Sequence, residues 1–86
     1  MRFTYEDEAD AVYVYVLEGS RVASSEVLDD GRVIDLDEGG RLIGVEIVEA
    51  SQRGVRLADL IERFQLESVR AKLRNLEDRF RPAEHA

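Results

Sequence analysis

The chain has 86 residues, no cysteine and a net charge of −7. A chain of this length builds one hydrophobic core, and the lack of cysteine excludes disulfides, thiolate metal sites and cysteine nucleophiles. Because such a core gives only modest stability, we expect self-association to contribute, and we predict a homodimer.

Charge is unevenly distributed along the sequence. Residues 1–50 carry 13 acidic and 4 basic side chains, whereas residues 51–86 carry 6 acidic and 8 basic ones. The acidic first part repels phosphate backbones and favours a basic protein partner. We therefore expect no nucleic-acid binding.

The beginning of the sequence turns acidic where a signal peptide would need an apolar run. No later segment approaches the roughly 18 apolar residues of a membrane span. We expect a cytoplasmic protein without a membrane partner.

Five short β-like runs come first, at residues 2–5, 12–17, 22–28, 33–36 and 42–48. Asp30-Gly31 predicts a hairpin between the third and fourth runs, with the positive φ angles of a type I′ turn. Residues 37–40 predict another reversal. Consecutive tight turns indicate an antiparallel meander of four or five strands.

The second run is apolar on both sides. Side chains alternate along a strand, so Val12 and Val14 share one face while Tyr13 and Tyr15 share the other. Both faces need cover, which predicts a central strand. The tyrosine pair is either part of the core or part of an interface, since tyrosine gives large contact area at low entropic cost.

The apolar period changes after Ala50. Leu57, Leu60, Ile61 and Phe64 recur at helical spacing and predict a first amphipathic helix. A heptad-like stripe follows and predicts a second helix or the continuation of a bent one; its members are Leu66, Val69, Leu73, Leu76 and Phe80. This stripe must be buried on its own chain or against another copy.

Arginines in this helical region form a second pattern. Arg63, Arg70, Arg74 and Arg81 lie on one stripe of a continuous helix, which suits an acidic surface or nucleic acid. Acidic residues three and four positions away favour ordinary surface ion pairs instead.

Residues 1–65 are predicted to form the meander with the first helix, and 66–81 the second helical segment of the same single domain. Residues 82–86, after the helix-ending Pro82, are predicted to be a flexible tail. The fold class is α+β.

The ordered segments Phe3-Thr4-Tyr5, 8–14, 30–37 and 40–47 resemble the bacterial domain of unknown function family 2283. The resemblance covers about residues 1–50 and extends to the first helix. It implies a small β-meander followed by a helix, without an established activity or catalytic residue set. Domains of this kind often lie beside small toxin-like proteins in bacterial genomes, so the resemblance also suggests an antitoxin or partner-binding role.

Two sets of acidic residues have the spacing of a chemical site. Asp35 and Glu46 fall on adjacent predicted strands and are the best pair for acid/base hydrolysis, although alternation predicts that both face solvent. Asp35, Asp37, Gly40 and Glu46 match the spacing of a calcium loop, but hairpin geometry explains that spacing. We expect no catalytic residue, no metal and no cofactor.

The sequence therefore predicts a protein-interaction module without enzymatic activity, working as a homodimer. The predicted interface residues are Leu66, Val69, Leu73, Leu76, Phe80, Tyr13 and Tyr15. Two alternatives stay open: an antitoxin-like protein that neutralises a basic partner, and a small hydrolase using Asp35 and Glu46.

Overall fold

A computed structural model describes residues 1–81, and the predicted tail at 82–86 lies outside the described residues. The chain forms two compact units, one over Met1–Glu49 and one from Ala50 onward. The first contains all five strands described and the second contains the helices. The α+β prediction is confirmed.

The first unit is one antiparallel sheet. Its strands are β1 (Arg2–Glu6), β2 (Ala11–Tyr15), β3 (Ser24–Asp29), β4 (Arg32–Leu36) and β5 (Leu42–Ile47). They lie in the order β1-β2-β5-β4-β3. Within this sheet β3, β4 and β5 form a meander of consecutive hairpins, and the β1–β2 hairpin joins this meander where β2 pairs with β5. The edges of the sheet are β1 and β3.

One face of this sheet is apolar and buried. Register aligns Val12 with Ile47, Val14 with Val45, and Ile34 with Val45 across the three inner strands. Each of these five side chains is at most 1% exposed. Alternation along the strands places Tyr13 and Tyr15 on the opposite face.

The predicted hairpin at Asp30-Gly31 joins β3 to β4, but the predicted type I′ geometry is wrong. Neither residue has a positive φ. A bulge interrupts the register between Val27 and Asp29. The Asp29 carboxylate then accepts a hydrogen bond from the Gly31 amide at 3.0 Å and pairs with the buried Arg32 guanidinium at 2.9 Å. A side chain stabilises this turn where a left-handed backbone was expected.

A second carboxylate organises the turn between β4 and β5. Asp37 Oδ1 accepts the amides of Gly39 at 2.9 Å and Arg41 at 2.8 Å, while Oδ2 pairs with Arg41 Nε at 2.7 Å. These bonds, the Arg41 amide first, lower the pKa of Asp37 below its usual value. Gly40 supplies the positive φ of this turn, at 80°.

The second unit contains α1 (Ala50–Arg53), α2 (Ala58–Arg63) and α3 (Arg70–Arg79), and a 3₁₀ turn over Glu67–Val69 leads into α3. Of the two predicted arrangements, a bent helix or separate helices, the structure has separate helices. Gln65 has a φ of 56°, and the Leu66 amide donates to the Ile61 carbonyl at 2.8 Å. This is a Schellman ending with glutamine at the position that usually carries glycine. The short α1 was not predicted.

Apolar side chains of α2 and α3, with Leu57 before α2, belong to the buried core. Leu57, Leu60, Ile61, Leu73 and Leu76 are each at most 4% exposed. The Leu57 amide, at the start of α2, donates to the Glu77 carboxylate of α3 at 2.9 Å. This bond supplies an acceptor for a backbone donor that the short helix leaves unsatisfied.

Candidate functional site

The sheet face opposite the apolar one is the candidate site, and we call it the tyrosine face. It is defined by side chains that share this face and by a glycine between them. These residues are Arg2, Tyr13, Tyr15, Ser25, Asp35, Gly44 and Glu46.

Strand register places five of these residues in a single row across the sheet. Arg2 lies opposite Tyr15, and Tyr15 lies opposite Gly44. Gly44 lies opposite Asp35, which lies opposite Ser25. Every strand of the sheet therefore contributes one residue to this row.

The Tyr13 side chain extends across the row to the Asp35 carboxylate, which lies two strands away. Its hydroxyl donates to Asp35 Oδ2 at 2.6 Å, and the Ser25 hydroxyl donates to Asp35 Oδ1 at 2.6 Å. The path of the Tyr13 ring passes over Gly44, where a Cβ atom would lie 2.5 Å from Cζ and 2.6 Å from Cε1. Glycine at position 44 is thus what makes this bond possible.

The protonated form of Tyr13 is stabilised in this setting. Burial of the phenol, followed by its hydrogen bond to Asp35, raises the pKa of Tyr13 above its ordinary value. The hydroxyl therefore remains a hydrogen-bond donor through the neutral pH range. Asp35 and Tyr13 act together to keep the ring in one position.

Tyr15 completes the aromatic part of the face. Its ring centroid lies 4.6 Å from that of Tyr13, with the planes tilted by 60°. The Arg2 guanidinium lies 3.9 Å from the centroid of the Tyr15 ring and also pairs with the Glu18 carboxylate. Both rings are half-buried, so each still presents surface to solvent.

The two candidate catalytic carboxylates both lie on the tyrosine face. Asp35 is opposite Gly44 and Glu46 is opposite Val33, so they are on adjacent strands and two positions apart along them. Asp35 is half-buried, with each oxygen accepting one hydroxyl, whereas Glu46 is exposed.

The predicted helical interface is only partly accessible. Leu73 and Leu76, in the middle of the stripe, are 2% and 4% exposed. Leu66, Val69 and Phe80 are half-buried. The accessible part of the stripe is therefore confined to its two ends.

The arginine pattern is divided by the break between α2 and α3. Arg70 pairs with Glu67, and Arg81 lies 2.7 Å from Asp78. Arg74 borders a groove of about 600 Å³ whose other lining residues are Arg53, Gly54, Val55, Arg56, Glu77, Asp78, Phe80 and Arg81. Acidic side chains thus lie within the same groove as the basic ones.

Within residues 1–81, no group of three or more histidine, cysteine, aspartate or glutamate side chains is arranged to hold a metal ion. Asp37, which matched a calcium-loop position, is bonded to the backbone of its own turn. Among these residues, every helix is also too short or too polar to cross a membrane.

Ser25, Gly44 and Arg2 were not recognised from the sequence as parts of the site. Alternation did identify the shared face of Tyr13 and Tyr15, and the pattern of turns brought Asp35 near Glu46. The other three residues become visible only when the register of all five strands is known, because each comes from a different strand.

The five-stranded antiparallel sheet followed by helices defines a small α+β protein. Residues 2–51 match the family model described as "Protein of unknown function (DUF2283)". The chain belongs to this family. No curated protein and no solved structure matches the chain.

Proposed function

We propose that this chain is a protein-interaction module without enzymatic activity, which works as a homodimer and presents the tyrosine face to a protein partner. The observation that carries this proposal is the Tyr13–Tyr15 pair on one sheet face, in which Asp35 holds the Tyr13 ring. Tyrosine provides large contact area at low entropic cost. A ring already fixed by a hydrogen bond loses little further freedom on binding.

The hydrogen bonds and the exposure of the two carboxylates, Asp35 and Glu46, support binding over hydrolysis as the role of this face. Paired-carboxylate catalysis needs one carboxyl group in an apolar surround and a second in a polar one. Asp35 instead serves as the acceptor for Tyr13 and Ser25, and Glu46 is exposed. In this proposal Asp35 has a positioning role on the face.

Burial also supports the sheet over the helical stripe as the binding surface. Leu73 and Leu76 already belong to the buried core. An interface through their positions would require that core to open, whereas Tyr13 and Tyr15 have surface exposed in the folded chain.

The experiment that tests the homodimer is sedimentation velocity of the full chain from about 1 to 100 μM. We expect a species of twice the chain mass whose fraction rises with concentration. A species of single-chain mass throughout that range would contradict the proposal.

A basic protein is the second candidate partner, in the manner of an antitoxin that neutralises it. The sheet unit has a net charge of −9 over residues 1–49, which favours association with positive surfaces. Glu46 places one of these negative charges on the tyrosine face beside the aromatic pair.

The affinity of the chain for an arginine-rich peptide, measured by calorimetry, tests this second role. Glu46→Lys and Glu38→Lys change the net charge equally, but Glu46 is on the tyrosine face and Glu38 is in the turn after β4. We expect Glu46→Lys to weaken peptide binding more than Glu38→Lys does. Equal weakening would mean that overall charge, and not the face, attracts the peptide.

A further inference from the structure

The edge strand β3 has the features of an interface. It pairs with β4 on one side and lies at the end of the sheet. Val27, in this strand, is 73% exposed, and Val22, just before it, is 46% exposed. Edge strands are templates for pairing with another chain unless charge or distortion prevents it.

The sequence around β3 is complementary to itself. A two-fold axis through Ser25 would place Ser25 opposite its own copy, Ser24 opposite Glu26, and Ala23 opposite Val27. The Ser24 hydroxyl would then lie opposite the Glu26 carboxylate and the Ala23 methyl group opposite the Val27 side chain, with no like charges directly opposed. Arg21 would then reach the acidic turn at Asp29-Asp30 of the second copy.

Neighbouring registers are less favourable. Moving the axis to Glu26 places that carboxylate opposite itself, and moving it to Ser24 places Val22 opposite Glu26. Like charges directly opposite destabilise a strand pair, and the second arrangement leaves the exposed Val27 opposite Arg21. The regular part of the edge also ends at the bulge after Val27, which is compatible with pairing over residues 23–27.

The other edge, β1, is less suited to this role. Its Arg2 is paired with Glu18 and stacked on Tyr15, and its Tyr5 donates to Asp10 at 2.8 Å. The two long side chains Arg2 and Tyr5 of this edge are therefore already engaged within the chain.

We propose that two copies of this chain pair antiparallel through β3, with Ser25 on the two-fold axis. This inference rests on the proposed homodimer and names the surface that forms it. The pairing joins two sheets into one of ten strands and places the two tyrosine faces side by side on the same side of that sheet.

Single substitutions at the edge test the surface. We expect Val27→Lys and Ala23→Glu each to raise the dimer Kd by about tenfold or more, since each places a charge opposite an apolar side chain. Combining them opposes lysine to glutamate and should restore the dimer. Thr4→Lys is the matched control, because Thr4 is exposed on the same face of the opposite edge strand.

Cross-linking tests the register independently. The natural chain has no cysteine, so Ser25→Cys introduces a thiol that pairs with its own copy only if Ser25 lies at the axis. We expect covalent dimers to form under mild oxidation much faster than with Thr4→Cys.

The outcomes separate this inference from the proposed function. A wild-type dimer that survives Val27→Lys, or that Thr4→Lys disrupts, overturns β3 pairing and leaves the homodimer standing. Equal cross-linking of the two cysteine variants also overturns it. A wild-type chain that is monomeric overturns the homodimer itself. Circular dichroism checks that each variant is folded, which the 73% exposure of Val27 favours.

Discussion

Gly44 shows how a missing side chain can determine the geometry of a site. Its neighbours on either side in the row, Tyr15 and Asp35, have side chains, and Tyr13 crosses the space above Gly44 to bond Asp35. Any Cβ atom here would overlap the Tyr13 ring. The hydrogen bond between Tyr13 and Asp35 therefore depends on a third residue, Gly44.

We expect Gly44→Ala to lower the free energy of unfolding by about 1–3 kcal/mol, the usual cost of overpacking. The Tyr13 ring must move away from Asp35 to admit the methyl group. Urea denaturation of Gly44→Ala and of Gly39→Ala measures this effect. A Cβ atom at Gly39 would meet Asp37 Oδ1 at an ordinary 3.5 Å. Equal stability of the two variants would contradict the steric explanation.

Tyr13 also makes stability depend on pH in the alkaline range. Its pKa is raised in the folded chain by burial and by Asp35, so the folded state holds the phenolic proton more tightly than the unfolded state. The contribution of Tyr13 to the free energy of unfolding is fully present below the unfolded pKa of about 10, and it is lost as pH rises further.

We therefore expect Tyr13→Phe to lose less stability than the wild type between about pH 10 and pH 12. Urea midpoints measured at several pH values give the slope of stability against pH for each protein. Between about pH 7 and 9 the two proteins should differ by a constant amount, because the phenol is protonated in both states. Parallel slopes above pH 10 would show that Tyr13 does not contribute.

At the scale of secondary-structure elements, the helical stripe has a structural role at its centre. Leu73 and Leu76 are buried while Leu66, Val69 and Phe80 are half-buried. The same heptad-like spacing is therefore divided between core positions and partly accessible ones. Spacing predicts which side of a helix is apolar, but not what covers it.

Leu73→Ala should destabilise the chain by about 2–5 kcal/mol, through lost apolar contact and the cavity left behind. Lys72→Ala is the control, since Lys72 is the exposed neighbour in the same helix. Thermal unfolding followed by circular dichroism compares the two. A Leu73→Ala variant as stable as Lys72→Ala would place Leu73 outside the core.

Much of the element order could be predicted because local patterns determine it. Alternation identified the strands, the Asp30-Gly31 pair located a hairpin, and the change of period after Ala50 identified helices. The separation of α2 from α3 was harder to predict, since the positive φ that ends α2 is at Gln65 and not at a glycine.

The candidate site was predicted less completely than the fold. Tyr13 and Tyr15 share a face by alternation, but the Asp35 bond depends on β2 pairing with β5 across the sheet. That pairing joins residues far apart in sequence, and turn signals give no information about it. The roles of Ser25 and Gly44 follow only from this long-range register.

At the scale of the whole molecule, the proposed dimer has a thermodynamic consequence. Association that accompanies folding makes the melting temperature depend on protein concentration. We expect the wild-type Tm to rise between about 2 and 200 μM, and the Tm of Val27→Lys to stay nearly constant. Differential scanning calorimetry measures both. A concentration-independent wild-type Tm would contradict a dimer whose formation stabilises the fold.

The arrangement of aromatic residues also provides the protein with an intrinsic optical reporter. The chain has three tyrosines and no tryptophan, so the emission excited at wavelengths that its three phenylalanines do not absorb comes from phenol rings. Two of the three are Tyr13 and Tyr15, only 4.6 Å apart on the tyrosine face, and a carboxylate that quenches phenol emission accepts the Tyr13 hydroxyl. A partner that displaces this bond or covers these rings would change the fluorescence without any attached dye.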